Sequence, residues 1–208
     1  MKRCVIVGGA PIENYNFIKS HFKKDDFFIF CDGGLNHVSR LLVTPDLIVG
    51  DFDSVEKPET SIETIILPRE KDDTDSVYAV KEAIKRGFDD FLLIGVIGKR
   101  FDHSFGNISL LLSLHRAGLT ATIVDDFSEM QIVASDTVFI DDSCKYFSLL
   151  NISGVAKEID IKNAKYPLSS AEIKSDYQYG ISNEVETGKV AEVRVGVGEC
   201  LLLKVFGE

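Results

Sequence analysis

The chain has 208 residues, 45% of them hydrophobic, and a formal net charge of −10 at pH 7. This composition supports a packed core and excludes a disordered chain, while the acidic excess argues against sequence-independent binding of nucleic acid. The apolar run near residue 1 is too short to predict a signal peptide, and the sequence has no run of about 18 apolar residues for a membrane span. Four widely separated cysteines indicate neither a zinc site nor a disulfide framework. We therefore expect a soluble, cytoplasmic protein with reduced thiols.

Short apolar runs alternate with helical patterns through the first 125 residues or so. The runs predict strands at residues 4–7, 27–31, 47–49, 64–67, 91–96 and 120–124. Apolar residues at helical spacing predict helices at 14–22, 35–42, 76–86 and 105–117, and Gly87 and Gly118 stand where the last two should end. Repeated strand–helix units predict an α/β domain with a Rossmann-like, doubly wound parallel sheet.

The pattern changes after residue 125 to short β-branched or aromatic runs with no long helix. Strands are predicted at residues 131–134, 138–140, 146–150, 155–161, 190–195 and 200–206. This pattern is typical of an antiparallel, all-β domain, which we expect to be a β-sandwich. The predicted division is an α/β domain at residues 1–127 and a β-sandwich domain at residues 128–208.

Two short clusters of aspartates lie next to predicted strands and helices. Asp51 and Asp53 follow the predicted strand at residues 47–49, at the end where open α/β sheets place their ligands. The second cluster, at residues 71–75, precedes a predicted helix. Carboxylate oxygens suit Mg²⁺, which bridges protein carboxylates to substrate phosphates. Either cluster alone is also compatible with an ordinary Asp-rich turn, but the two together favour a metal and phosphate site.

Phosphate groups must be held without the common glycine fingerprints. Gly8-Gly9 is too short for a dinucleotide-binding loop, and the chain has no P-loop motif. Asp32-Gly33-Gly34 follows a predicted strand, so its backbone N–H groups could approach an anion, although a plain tight turn explains this motif at least as well.

The segment at residues 95–107 carries a denser group of polar residues. Arg100 could bind a phosphate through two parallel hydrogen bonds, which would place a positive charge beside an anion in a chain whose net charge is negative. Asp102 is either a helix N-cap or a site residue, and for His103 the two interpretations remain equally open.

Four motifs occur in a characteristic order: Asp-Gly-Gly, Gly-Asp-Phe-Asp-Ser, Lys-Asp-x-Thr-Asp and Gly-x-x-Gly-x-Arg-x-Asp-His-x-x-x-Asn. They resemble the motifs of the thiamine pyrophosphokinase family, and the likeness continues through Tyr166 and the pair Ser182-Asn183. The resemblance implies an α/β domain followed by a β-sandwich. It also implies transfer of a pyrophosphoryl group from ATP to the hydroxyethyl group of thiamine, which gives thiamine diphosphate and AMP. Asn163 departs from a glycine common in the family, but Asn also tolerates a left-handed backbone.

The resemblance also implies roles for individual residues. Asp51, Asp53 and Asp75 would bind Mg²⁺, with Asp72 as the next candidate, and Arg100 would act with them in catalysis. Tyr166 would stack on the thiazolium cation of thiamine, next to Ser182 and Asn183. The family forms homodimers whose thiamine site joins domains of different subunits. The residues implied for the ATP site are Asp32, Gly33, Gly34, Ser54, Lys71, Asp72, Thr74, Asp102 and His103.

Two other classes of protein remain compatible with the motifs. The sequence Asp51-Phe52-Asp53 also resembles the start of haloacid-dehalogenase-type phosphatases, in which the first Asp is the nucleophile. Those enzymes usually carry this motif on the first strand, whereas here it follows at least two predicted strands. A non-catalytic thiamine or nucleotide sensor is the other alternative, and the sequence offers no output domain for it.

Overall fold

The computed structural model describes residues 1–52, 60–68, 70 and 72–207. The chain divides into two compact units, Met1–Asp126 and Phe127–Glu208. The described part of the chain contains no helix long and apolar enough to cross a membrane. Cys4, Cys31, Cys144 and Cys200 are buried, free thiols.

The first unit is built on a parallel sheet. The strand order is β4-β3-β2-β1-β5-β6, and every neighbouring pair is parallel. The chain therefore winds outward from β1 in one direction and then returns to its other side at β5, which makes the carboxyl ends of β1 and β5 the switch point of the sheet. The predicted doubly wound fold is confirmed. The strands are β1 Arg3–Val7, β2 Phe27–Cys31, β3 Leu47–Gly50, β4 Thr64–Ile66, β5 Asp90–Ile94 and β6 Thr120–Val124.

Helices cover both faces of this sheet. The helices α1 Tyr15–Lys19 and α2 Val38–Leu41 contribute to one cluster with Val5, Val7 and Phe30. The helix α3 Asp75–Lys85 packs against β1, β2 and β3, and α4 Phe101–Arg116 packs against β6. Because no α3 or α4 residue belongs to that cluster among the described residues, these two helices occupy the opposite face.

Two helix predictions were wrong in position. Instead of one helix at residues 35–42, a 3-10 helix spans Asp32–His37 and α2 follows it. Its tight path brings Gly34 so close to β1 that an added Cβ would lie 2.2 Å from the carbonyl oxygen of Val7. Helix α4 begins at Phe101, four residues earlier than predicted, so Asp102 lies in its first turn and is not its N-cap. Residues 102–104 are all polar, so the apolar pattern began only at Phe105.

The second unit is a β-sandwich, as predicted. One antiparallel sheet has the order β7-β13-β9 and the other has the order β11-β10-β12-β8. Phe147 and Leu202 of the first sheet share a buried core with Ile159 and Val193 of the second. The strands are β7 Ser128–Val133, β8 Asp136–Asp141, β9 Tyr146–Asn151, β10 Val155–Lys162, β11 Leu168–Lys174, β12 Val190–Val197 and β13 Cys200–Val205.

Strand β11 was missed by the sequence pattern. It is an edge strand in which only Ile173 is fully buried, and most of its other residues are polar. At the end of β10, Asn163 has a φ of 55°, which confirms that it adopts the left-handed geometry expected where the family has glycine.

Candidate functional site

A cavity of about 660 Å³ opens in the first unit at the carboxyl ends of β1, β2, β3 and β5. This is the switch point of the sheet, where open α/β folds bind their ligands. Each of the loops that follow these strands contributes to the wall, together with the start of α3. The wall is formed by residues 8–11, 31–33, 36, 51, 74–76, 95–96, 98–100, 103, 104 and 107.

Three aspartates converge in the cavity. One oxygen from each of Asp32, Asp51 and Asp75 lies within 4.8 Å of the other two. Asp32 follows β2, Asp51 follows β3 and Asp75 opens α3. The donor set consists of hard carboxylate oxygens only, which matches the preference of Mg²⁺. We call these three residues the carboxylate cluster.

The cluster differs from the predicted metal ligands in one member. Asp51 and Asp75 were predicted to bind Mg²⁺, whereas Asp32 was predicted to shape the nucleotide site. Asp53, the third predicted ligand, lies outside the described residues. The signal for Asp32 was present in the sequence, because Asp32 directly follows a buried strand just as Asp51 follows β3.

Backbone contacts between glycines bring three loops together at the cavity. A Cβ added to Gly8 would lie 2.4 Å from the carbonyl oxygen of Gly95. A Cβ added to Gly9 would lie 2.9 Å from the Cα of Gly33. Side chains at these positions would separate the loops that follow β1, β2 and β5. Gly8-Gly9 lacks a full glycine fingerprint, yet residues 8–11 form part of the cavity wall.

Arg100 lies at the cavity in a two-point ion pair with Asp102. Its Nε donates to Oδ1 over 2.9 Å, and its Nη2 donates to Oδ2 over 2.6 Å. Hydrogen bonding from Arg100 holds the pKa of Asp102 well below its usual range, and the same bonds raise the pKa of Arg100. Both side chains are more than 60% exposed. A pair this exposed contributes little to stability, so the guanidinium can leave Asp102 for another anion at small cost.

His37 is a buried residue that contacts the cavity wall at Ala10. It is 6% exposed, its Nδ1 lies 2.7 Å from the hydroxyl of Tyr15, and its Nε2 lies 2.9 Å from the carbonyl oxygen of Ala10. Burial lowers the pKa of His37, which favours the neutral ring. Since a carbonyl oxygen only accepts, the neutral ring donates from Nε2 to Ala10 and accepts at Nδ1 from Tyr15. No sequence motif pointed to His37.

The predicted thiamine residues all lie in the second unit. Tyr166 is 58% exposed, whereas Asn183 is 5% exposed. The Asn183 amide accepts from the backbone N–H of Tyr166 over 3.0 Å and donates to the carbonyl oxygen of Tyr166 over 2.8 Å. Ser182 has a φ of 57°, and its N–H donates to the hydroxyl of Ser148. The Asn183 side chain therefore holds the backbone of Tyr166 and leaves the aromatic ring exposed.

The remaining site predictions fall into three groups. The cavity wall includes seven residues that were predicted for catalysis, metal binding or ATP binding: Asp32, Gly33, Asp51, Thr74, Asp75, Arg100 and His103. Three others, Gly34, Asp72 and Asp102, are described by the structure but are not part of the wall. Asp53, Ser54 and Lys71 lie outside the described residues.

Comparison with known proteins identifies the family. Residues 18–123 match the family model described as "Thiamin pyrophosphokinase, catalytic domain", and residues 136–198 match "Thiamin pyrophosphokinase, vitamin B1 binding domain". A thiamine pyrophosphokinase from Bacillus subtilis (strain 168) is 28% identical over 193 residues, which cover 89% of this chain and 90% of that protein.

Solved structures agree in fold. The crystal structure of thiamine pyrophosphokinase from Bacillus subtilis has a TM-score of 0.87 with 22% identity and covers all of both chains. That of thiamin pyrophosphokinase from Geobacillus thermodenitrificans has a TM-score of 0.81 with 26% identity and covers 98% of this chain and 97% of the other. Because the catalytic-domain model alone spans half of the sequence and the second model covers most of the rest, the chain belongs to the thiamin pyrophosphokinase family.

Proposed function

We propose that this protein transfers the pyrophosphoryl group of ATP to the hydroxyethyl oxygen of thiamine in a Mg²⁺-dependent reaction that releases AMP. The observation that carries the proposal is the cavity of the first unit, where the carboxylate cluster, glycine-lined loops and Arg100 line one space. Phosphoryl transfer needs mainly positioning and charge neutralisation, and this cavity offers groups for both.

Asp32, Asp51 and Asp75 are the residues that would hold Mg²⁺. One oxygen from each is close enough to the others to share one cation, and without that cation their negative charges would repel a polyphosphate. The bound ion supplies neutralisation of phosphate charge and alignment of the transferred group. Asp53, two residues after Asp51, stays a predicted further ligand. Asp72 is not part of the cavity wall, so we do not include it among the proposed ligands.

The nucleotide is proposed to lie against the loops after β1, β2 and β5. Gly8, Gly9 and Gly33 let backbone atoms approach a bulky substrate closely, and no side chain of theirs occupies the space. Arg100 would exchange Asp102 for phosphate oxygens, because charge-assisted bonds to phosphate suit its planar guanidinium. Lys99 and His103 border the same space and add positive or polar groups near the phosphates.

Thiamine is proposed to bind through Tyr166 in the second unit. The ring is exposed, and a cation over an aromatic face gains about 0.5 to 2 kcal/mol, depending on how far the site is desolvated. Lys165 already places its Nζ 5.7 Å from the centre of the Tyr166 ring, where Glu184 holds it at 2.7 Å. A thiazolium cation would compete with this ammonium group. In this proposal Asn183 acts through Tyr166 and does not contact thiamine with its side chain.

Assembly and location remain predictions. The family resemblance implies a homodimer in which the thiamine site joins the α/β domain of one subunit to the β-sandwich domain of the other. Under this proposal, residues 1–127 carry ATP and residues 128–208 carry thiamine. A cytoplasmic location is predicted from the sequence alone.

Product analysis tests the proposed function. The protein is incubated with ATP, thiamine and Mg²⁺, and the nucleotides and thiamine esters are separated by chromatography. We expect equal amounts of AMP and thiamine diphosphate, and neither product in the presence of excess EDTA. ADP with thiamine monophosphate would indicate a kinase that transfers one phosphate and would contradict the proposal.

The same assay separates the two alternative classes. A haloacid-dehalogenase-type phosphatase would release inorganic phosphate and form a trappable phosphate ester on Asp51. A sensor would bind thiamine or ATP and release no AMP. The location of Asp51 after β3, the third strand of the chain, argues against the phosphatase.

A further inference from the structure

Polar groups of the cavity wall form a continuous hydrogen-bond chain. The Ser76 hydroxyl lies 2.9 Å from Asn107 Oδ1, and Asn107 Nδ2 lies 2.9 Å from the carbonyl oxygen of Val96. Ser76 Oγ also lies 3.1 Å from the hydroxyl of Thr74. Asn107 and Ser76 are buried, with 7% and 8% exposure. We call this chain the Asn107 relay; it runs from the start of α3 across α4 to the loop after β5.

The chemistry of the groups determines the direction of every bond in the relay. The Val96 carbonyl can only accept, so the Asn107 amide nitrogen donates to it and the amide oxygen faces Ser76. That oxygen also only accepts, so Ser76 donates its hydroxyl proton to Asn107. The contact between Thr74 and Ser76 must then have Thr74 as the donor. The Thr74 oxygen still accepts from the backbone N–H of Val77, as the N-cap of α3.

The relay holds both sides of the proposed active site. Asp75 lies between Thr74 and Ser76, so both of its neighbours in the chain are fixed by the relay. At the other end, the Ser104 hydroxyl lies 3.0 Å from the N–H of Gly98 and 3.1 Å from the carbonyl oxygen of Arg100. The first two turns of α4 thus attach the start of α3 on one side and residues 96–100 on the other.

We propose that Asn107 is a positioning residue that holds Asp75 in the carboxylate cluster at a set distance from the loop that presents Arg100. The inference rests on the proposed function, in which Asp75 binds Mg²⁺. An amide meets the requirement because the same short side chain must donate to Val96 and accept from Ser76. A carboxylate of the same shape cannot donate, and an aliphatic side chain can do neither, so buried polar groups on both neighbours would lose their partners.

Metal binding without substrates tests the relay directly. Mn²⁺ serves as the probe because it shares the oxygen-ligand preference of Mg²⁺ and the free ion is measured by electron paramagnetic resonance. We expect Asn107→Ala and Ser76→Ala each to weaken Mn²⁺ binding by about threefold to tenfold, which corresponds to roughly 0.7 to 1.4 kcal/mol. The double variant should bind no more weakly than Asn107→Ala, because both changes break the same relay.

A matched control comes from the same helix. The Ser109 hydroxyl donates to the carbonyl oxygen of Phe105 on the exposed side of α4, away from the cavity wall. We expect Ser109→Ala to bind Mn²⁺ within twofold of the parent protein. In turnover assays, Asn107→Ala should lower kcat about tenfold and raise the Mg²⁺ concentration at half-maximal rate, while the KM for thiamine changes less than twofold.

Two results would overturn the relay. Unchanged Mn²⁺ affinity in folded Asn107→Ala or Ser76→Ala would show that these residues do not position Asp75 and have only a packing role. Full additivity of the two single effects would mean that the side chains act separately. If Asn107→Ala does not fold, Ser76→Ala alone decides, since it deletes only one hydroxyl. Failure of the parent to make AMP would refute the proposed function but leave the Mn²⁺ result intact, because that measurement uses no substrate.

Discussion

Replacement of Asp51 by Asn removes one negative charge from the carboxylate cluster and keeps the shape of the side chain. The oxygens of Asp32, Asp51 and Asp75 lie within 4.8 Å of one another. In the metal-free protein this proximity is repulsive, and in the metal-bound protein it is what binds the cation. Asp51→Asn should therefore stabilise the metal-free fold and at the same time abolish metal-dependent activity.

The magnitude follows from the separation of the charges. At 4.8 Å, Coulomb's law gives about 0.9 kcal/mol for each pair of unit charges in bulk water and about 3.5 kcal/mol at an effective dielectric constant of about 20. Asp51 faces two such neighbours, and the cavity is open to water, so the lower value applies. We expect the free energy of unfolding in EDTA to rise by about 1 to 2 kcal/mol, or Tm to rise by about 2 to 8 °C for a chain of this length.

Thermal unfolding in EDTA and in excess Mg²⁺ measures both parts of this prediction. The parent should be stabilised by Mg²⁺, whereas Asp51→Asn should not respond and should lose at least 100-fold in turnover. Asp25→Asn is the control, because it removes the same charge from an exposed position in the same unit. A variant that is less stable than the parent in EDTA, or that keeps the Mg²⁺ response, would show that Asp51 has a structural role and would refute the reasoning.

Three further changes test other parts of the molecule. Tyr166→Ala should raise the KM for thiamine by about fivefold to thirtyfold and leave the KM for ATP unchanged, while Tyr166→Phe stays near the parent; equal effects on both substrates would indicate a folding role. Asp26→Ala should cost about 3 to 5 kcal/mol in chemical denaturation, because it leaves the largely buried guanidinium of Arg3 without its two-point partner. Fold stability should fall from about pH 7 toward pH 5, because the pKa of His37 is lower in the folded protein than its unfolded value near 6.5. His37→Gln should remove part of that decline, and an unchanged pH profile would contradict this origin.

The strands of the first unit were predictable because both faces of the sheet are covered. Each strand then reads as a short, continuous apolar run, and all six predicted strands are present. The 3-10 helix at Asp32–His37 was not predictable in the same way, because close approach of Gly34 to β1 determines it and tertiary contacts do not appear in local periodicity. Strand β11 was not predicted because an edge strand with one fully buried residue has no apolar run.

The carboxylate cluster was predictable only in part. Asp51 and Asp75 stand out in the sequence because they lie in acidic motifs. Asp32 joins them because β2 and β3 are neighbours, which places the residues that follow these strands side by side. The order of strands in a parallel sheet is a tertiary property. Asn107 ends the fourth sequence motif, but its pairing with Ser76 was not predictable, since buried polar positions on amphipathic helices look like solvent-facing ones until the partner segments are known.

The fate of the phosphorus atoms of ATP tests the central claim most directly. A mixture of α-³²P-labelled and γ-³²P-labelled ATP is incubated with the protein, thiamine and Mg²⁺ in a single turnover, and the products are separated. The account predicts that the γ label appears only in thiamine diphosphate and the α label only in AMP. Appearance of the γ label in inorganic phosphate or in thiamine monophosphate, with the α label in ADP, would contradict pyrophosphoryl transfer.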